Sequence, residues 1–214
     1  MAVVITVAQQ KGGAGKTTLA ANLAAAMAQG VDGPPRRVAL LDIDPQRSLA
    51  RWHSLRTARN PAPAVIGFSD VSGWRLAAEI ERLRAGYDVL IVDSPPQIDT
   101  DAKLAIRAAS LVLIPVQPSP PDLWAAAGTL KLASAERRRA CLVLNRAPGS
   151  GKLRATVEAE IAATQYPIMA TVLGNRIGFA SAFADGLGIT ETSPRSVGAR
   201  ELRALLAEID AMIQ

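Results

Sequence analysis

The sequence predicts an α/β fold, doubly wound, in which a mostly parallel sheet is flanked by helices. Apolar runs of strand length recur along the chain, their apolar character is continuous rather than alternating, and helix-like segments stand between them. Continuous apolarity means that both faces of each strand are covered, as in a parallel sheet with helices on either side. The 214 residues, 49% of them hydrophobic, suffice for one sizeable core and are too few for two, so residues 1–214 read as a single domain.

The first run, VVITVA (Val3–Ala8), leads into a glycine-rich turn and then into TTLAANLAAAMAQG, a helix of small apolar residues that stops at Gly30. A turn-rich connection, VDGPPRR, precedes the second run, RVALLDID (Arg37–Asp44), and PAPAVIGF carries a short additional strand after Pro63. GWRLAAEIERLRAG places Leu76, Ile80 and Leu83 on one helical stripe, stops at Gly86, and feeds YDVLIVD (Tyr87–Asp93). SLVLIPV (Ser110–Val116) and ACLVLN (Ala140–Asn145) complete the set. Arg137–Arg139 end the helix between them, where cations complement the negative end of the helix dipole. ARELRALLAEIDAMIQ closes the chain as an amphipathic helix.

Composition narrows the function. Cys141 is the only cysteine, which excludes a disulfide framework and a cysteine-ligated cluster within one chain. The chain starts without the pattern of a secretory leader, and no apolar run reaches spanning length, so a cytoplasmic location is expected. The net charge of +5 permits an anionic partner such as nucleic acid without locating it. His53, the sole histidine, follows Trp52 on a helical segment and is read as a packing or surface residue.

The chemistry begins at QQKGGAGKTT (Gln9–Thr18). A strand, a glycine-rich turn ending Gly-Lys-Thr, and a helix make a phosphate cradle. Backbone N–H groups of Gly12, Gly13, Ala14, Gly15, Lys16, Thr17 and Thr18 and the positive helix end face the anion, Lys16 reaches its outer oxygens, and the Thr17 hydroxyl can ligate Mg²⁺. The strict phosphate-loop pattern fails, because Gln10 stands where its first glycine belongs and Lys11 follows. Read as xKGGxGKTT, the stretch resembles the deviant Walker A loop of the ParA/MinD family of ATPases. The resemblance implies that Lys11 is the signature lysine, which crosses a dimer interface to the partner's nucleotide phosphates and supplies a second cation to the transferring phosphoryl group.

Two further segments resemble the same family. In LLDIDPQRSL (Leu40–Leu49), similar to its Walker A′ motif, the resemblance implies that Asp44 orients or activates the attacking water and that Asp42 supports the Mg²⁺ shell. In YDVLIVDSPP, similar to Walker B, it implies that Asp93 holds Mg²⁺ mostly through water. SLVLIPVQPSPPDLWA resembles the region near the base, which brings in Pro118, and Asn145 with Arg146 match the position that contacts adenine. The likeness covers most of residues 1–150, with a looser match at Thr171–Gly186.

By resemblance the catalytic set is Lys11, Lys16 and Asp44, with ATP or ADP and Mg²⁺ as cofactors. The family works by switching: ATP closes a homodimer, the dimer binds a surface, and an adaptor protein stimulates hydrolysis so that it lets go. Non-specific DNA is the expected surface, with Lys152, Arg154, Arg176, Arg195, Arg200 and Arg203 as candidate contacts that need a shared face to form a footprint. A membrane surface fits less well, because Glu208 and Asp210 oppose the apolar stripe of the last helix, which reads as core-docking. A metabolic synthase on the same fold would not need Lys11. Operator-specific binding through an N-terminal helix-turn-helix is not expected.

Overall fold

The computed structural model describes residues 2–61, 63–96 and 100–213. Its strands are β1 (Val3–Val7), β2 (Val38–Asp42), β3 (Gly67–Asp70), β4 (Val89–Asp93), β5 (Leu111–Val116) and β6 (Arg139–Leu144). The helices are α1 (Lys16–Gln29), α2 (Ser48–Thr57), α3 (Leu76–Leu83), α4 (Thr100–Ala108), α5 (Pro120–Ala135), α6 (Lys152–Thr164), α7 (Ile177–Ala184), α8 (Ile189–Thr192) and α9 (Val197–Ile213), with a 3₁₀ turn at Gly73–Arg75 ahead of α3. The strands form one sheet in the order β3-β2-β4-β1-β5-β6, and every pairing is parallel.

The continuous apolar runs are explained by what covers each face. Along β1, Ile5 and Val7 join α1 and α9 in one buried cluster, while Val4 faces Leu76, Ile80 and Leu83 of α3 on the opposite side. Leu40 and Ile91 repeat the first pattern, and Ala39, Leu41, Leu90 and Val92 the second. A third cluster packs Val112, Ile114 and Leu142 against α5 and α6. The stripe Leu202, Leu205, Leu206 and Ile209 of α9 is spent on the first cluster, as its spacing predicts. Among the described residues no helix is long and apolar enough to cross a membrane.

Several expectations need correction at their edges. The second strand ends at Asp42, not Asp44, because the Asp42 carboxylate turns the chain by accepting the Asp44 and Ala50 N–H groups at 3.1 and 3.0 Å. The acidic residues of α9 are not a solvated face. Glu208 accepts the N–H groups of Ala170 and Thr171, and Asp210 takes a two-pronged pair from Arg36. Arg137–Arg139 lie where α5 ends, but only their backbones close it. Arg137 adopts a left-handed φ of 57° and donates to Ser134 O, Arg138 donates to Ala133 O, and Arg139 already belongs to β6. His53 is a packing residue, stacked on Phe68 with ring centroids 4.7 Å apart.

One buried ion pair locks the last third of the chain onto the first. Arg56 of α2 donates to Glu191 of α8 at 2.7 and 2.9 Å and to the Ala64 carbonyl at 2.9 Å, with 3% of its side chain exposed. Removing one member of such a pair strands the other charge. Arg56→Met should therefore lower the unfolding free energy by roughly 3–5 kcal/mol, measured by urea titration; a loss below about 1 kcal/mol would assign the clasp no more weight than a surface pair.

Candidate functional site

The sheet registers assemble the site. Val7 at the end of β1 pairs with Asp93 at the end of β4, and Asp93 pairs in turn with Asp42 at the end of β2. The connections leaving β1 and β4 run in opposite directions across the sheet, which opens a crevice beyond the strands' carboxyl ends. The glycine loop fills the near side of that crevice.

The loop is held from behind through Gln9, Gln10 and Asn145. Buried Gln9 donates to the Pro115 and Asp122 carbonyls at 3.3 and 3.4 Å. Gln10 lies across Gly128 of α5, where a Cβ would stand 2.1 Å from its amide nitrogen. Asn145 donates to the Ala14 carbonyl at 2.8 Å. Gly15, which precedes α1, has φ 90°, and a Cβ on it would meet the Asn145 amide at 2.6 Å, so only glycine fits. Gly12 and Gly13 face open space, and the N-terminus of α1 has no side-chain cap, leaving its N–H groups available to an anion.

Lys16 is buried beside this cradle. Burial lowers its pKa, opposed by the charges of Asp93 and Asp44. Asp93 is fully buried, neither of its carboxylate oxygens has a hydrogen-bond partner of good geometry among the described residues, and burial pushes its pKa up to about 7, opposed in part by the neighbouring Thr17 hydroxyl and the Lys16 charge. Two orphan carboxylate oxygens beneath a phosphate cradle fit a hydrated divalent cation, with Thr17 at the same crevice. Asp42, raised by burial, has each oxygen on a backbone N–H and shapes the turn. Asp44 lines the crevice of about 280 Å³ with one oxygen on the Gln46 N–H.

A second cavity of about 290 Å³ adjoins the first through Thr18 and Arg146. Its walls include Leu173, Ile177 and Phe179 from the start of α7 and the loop before it. Asn145 reaches this cavity but is committed locally, its amide on Ala14 and its oxygen on the Arg146 N–H. Arg146 donates to the Gly13 carbonyl at 3.0 Å, which places it over the loop. Pro118 is buried in the turn before α5 and does not line the cavity.

Lys11 faces away from its own crevice and forms an ion pair with Asp122 of α5, a buried carboxylate that also receives the Ser119 hydroxyl. The sequence reading takes Asp122 only as part of SLVLIPVQPSPPDLWA and gives it no role of its own, yet Ser119-Pro-Pro-Asp122 is a helix-start signature that places an acid at the positive end of α5.

The six cations suggested for DNA do not share a face. Lys152 and Arg154 sit on α6, which packs on the opposite side of the sheet from α9. Arg176 is bound to Glu201, Arg154 to Glu158, and Arg203 to the Pro194 carbonyl with Asp32 nearby. Arg200 donates to the Arg195 carbonyl, so Arg176, Arg195, Arg200 and Arg203 gather around the first turns of α9.

Residues 5–189 match the family model of the CobQ/CobB/MinD/ParA nucleotide binding domain. The chain belongs to this family. Among ParA/MinD-type relatives, it is 30% identical to the maintenance of carboxysome distribution protein A of Halothiobacillus neapolitanus, over 97% of this chain and 96% of that one. It is 31% identical to the chromosome-partitioning ATPase Soj of Thermus thermophilus, over 98% and 96%. An ATP complex of a Cyanothece McdA variant superimposes with a TM-score of 0.81 at 18% identity, covering 100% of this chain and 97% of the other.

A carboxyl whose folded pKa lies above its unfolded value stabilises the fold only at low pH, and that contribution is lost as pH rises through the folded value. For Asp93, raised from 3.8 to about 7, the nucleotide-free protein should lose stability between these values. Asp93→Asn should raise the melting temperature by several degrees at pH 8, where 1 kcal/mol shifts it by roughly 2–4 °C, and little at pH 4. Equal shifts at both pH values in a thermal melt would remove burial of the charge as the cause.

Proposed function

We propose that this protein is a Mg·ATP-dependent positioning ATPase of the ParA type, which closes as a homodimer around nucleotide, binds DNA without sequence preference, and distributes a cargo through an adaptor that stimulates hydrolysis. One observation carries the reading: the fully buried carboxylate of Asp93 lies beside Lys16 and the Thr17 hydroxyl beneath an open glycine cradle. The near full-length likeness to a carboxysome-distribution protein and to a chromosome-partitioning ATPase supports the positioning role.

Each residue's part follows from its place. The N–H groups of Gly12, Gly13 and Gly15 receive the phosphates, and Lys16 adds a cation whose charge is poorly solvated and therefore strong. Bound Mg²⁺, held by Asp93 and Thr17, would neutralise charge on the phosphate oxygens. Asp44 lines the crevice and has one carboxylate oxygen on the Gln46 N–H, which leaves the other to orient a water. The cavity lined by Leu173, Ile177 and Phe179 suits the base.

Lys11 supplies the link to assembly. In the single chain its charge is satisfied by Asp122, so it contributes nothing to its own crevice. Apposing a second copy offers it a competing anion, the phosphates of the partner. Differential binding of this kind is what lets ATP favour the closed dimer. The apolar stripe of α9 is spent on the core, which argues against its use on a lipid surface.

Lys16→Gln should abolish ATP binding in a calorimetric titration, and Asp44→Ala should bind ATP yet lose turnover by about 10²-fold or more. Lys11→Ala should keep nucleotide affinity and lose ATP-dependent dimerisation in light scattering. Undisturbed values in all three would refute the site.

Purified protein should bind a sequence-unrelated DNA duplex with ATP and not with ADP, losing affinity steeply between about 50 and 200 mM salt. Binding to anionic liposomes instead would move the partner surface to the membrane.

A further inference from the structure

The end of the sheet remote from the nucleotide crevice carries a surface that the ATPase reading leaves unused. A groove of about 940 Å³ runs along β6 between α5 and the segment after α6. Its apolar walls are Leu130 of α5, Tyr166 and Pro167, and Met212 of α9. Its cations are Lys131, Arg138 and Arg139, and it adjoins a second cavity of about 340 Å³ that holds Arg84 and Arg137. No carboxylate lines either cavity among the described residues.

These cations differ from those around α9. Among the described residues, Lys131, Arg137 and Arg138 have no ion-pair partner, and Arg139 donates only to the Met212 carbonyl. The nearest helix-end acid, Glu136, is occupied by Arg107 and Lys103.

The backbone adds a third feature. β6 is the outermost strand, with β5 on one side only. Leu142 donates outward to the Pro167 carbonyl at 2.8 Å and accepts the Met169 N–H at 2.9 Å, and Leu144 accepts the Leu173 N–H at 2.9 Å. Residues two apart in a strand turn the same way, so Ala140 points its N–H and carbonyl to this same edge. Among the described residues nothing meets them there. The edge is covered at Leu142 and Leu144 and free only at Ala140, so an extended peptide entering beside the apolar pocket can add backbone bonds there and set a side chain in the pocket.

We propose that this groove docks an acidic, extended segment of a partner protein as an added strand beside Ala140, with one apolar side chain between Leu130, Tyr166, Pro167 and Met212 and its carboxylates on Lys131, Arg138 and Arg139. The opposing charge selects the partner. A nucleic acid would satisfy the cations but leave the apolar groove and the strand edge unused, so the observations favour peptide. Lys131, Arg138 and Arg139 do not line the nucleotide crevice, although Gly128, which backs Gln10 of the phosphate loop, borders the groove.

The test uses the full chain and fluorescein-labelled eight-residue peptides in which four glutamates flank one Leu, Ile or Phe, with lysine-for-glutamate versions as controls. Fluorescence anisotropy should give saturable binding of the acidic set, at least tenfold tighter than the lysine set and weakened by salt. Arg138→Glu with Arg139→Glu should lose at least tenfold. Ala140→Pro removes only the outward N–H, a change an edge strand tolerates, and should lose affinity severalfold with an unchanged thermal melt. No saturable binding of the acidic peptides, or binding indifferent to both variants, overturns the proposal. If the double arginine variant instead loses binding of duplex DNA while peptide binding is absent, the surface is a nucleic-acid site and the peptide reading fails. Because neither arginine lies near the crevice, ATP affinity of these variants separates a failure here from a failure of the ATPase reading.

Discussion

A fully buried carboxylate, that of Asp93, with no hydrogen bond of good geometry to the described residues, is the constraint on which the rest of the site depends. It ends the central strand β4, flanked on one side by β1 and its glycine loop and on the other by Asp42 of β2. Without a ligand the arrangement is costly, because burial holds the charge out of water and raises its pKa to about 7. Lys16 and Asp93 face the same problem with opposite sign, and each moderates the other only in part. A site built this way trades stability of the empty state for affinity toward a cation and an anion together.

The cradle is held in shape by its neighbours. Gln9, Gln10 and Asn145 grip the loop from β5, α5 and the end of β6, so the loop's geometry is set by elements far apart in the chain. α5 has a double role. Its first turn holds Lys11 through Asp122, and its third receives Gln10 against Gly128. The lysine that distinguishes this loop and the loop's own support thus converge on one helix.

Much of this was legible in the sequence, for physical reasons. Strands covered on both faces must be continuously apolar, so the sheet announced itself, and β3 was signalled by the short run after Pro63. Glycines with left-handed φ, such as Gly15 and Gly30, serve positions that other residues fill only with strain, which is why the loop and the end of α1 could be read directly. Less legible were the cations of the last third. Arginine in a sequence carries no mark of whether an acid will meet it, and Arg154, Arg176 and Arg203 turn out to have ion-pair partners while, among the described residues, Arg137 and Arg138 do not. Asp122 was readable as a helix start but not as the partner of Lys11, 111 residues earlier.

By itself, the sequence determined the α/β class, the order of strands along the chain, the phosphate-type loop and the acids that end β2 and β4, because each rests on local periodicity, local backbone conformation or a short motif. Only the tertiary structure decided that Asp93 is fully buried beside Thr17 and Lys16, that Asn145 holds the loop, that Lys11 rests on Asp122, and that β6 leaves Ala140 free at its edge beside arginines with no ion-pair partner among the described residues. Those facts depend on which side chains meet across the sheet, and long-range pairing leaves no imprint on neighbouring residues.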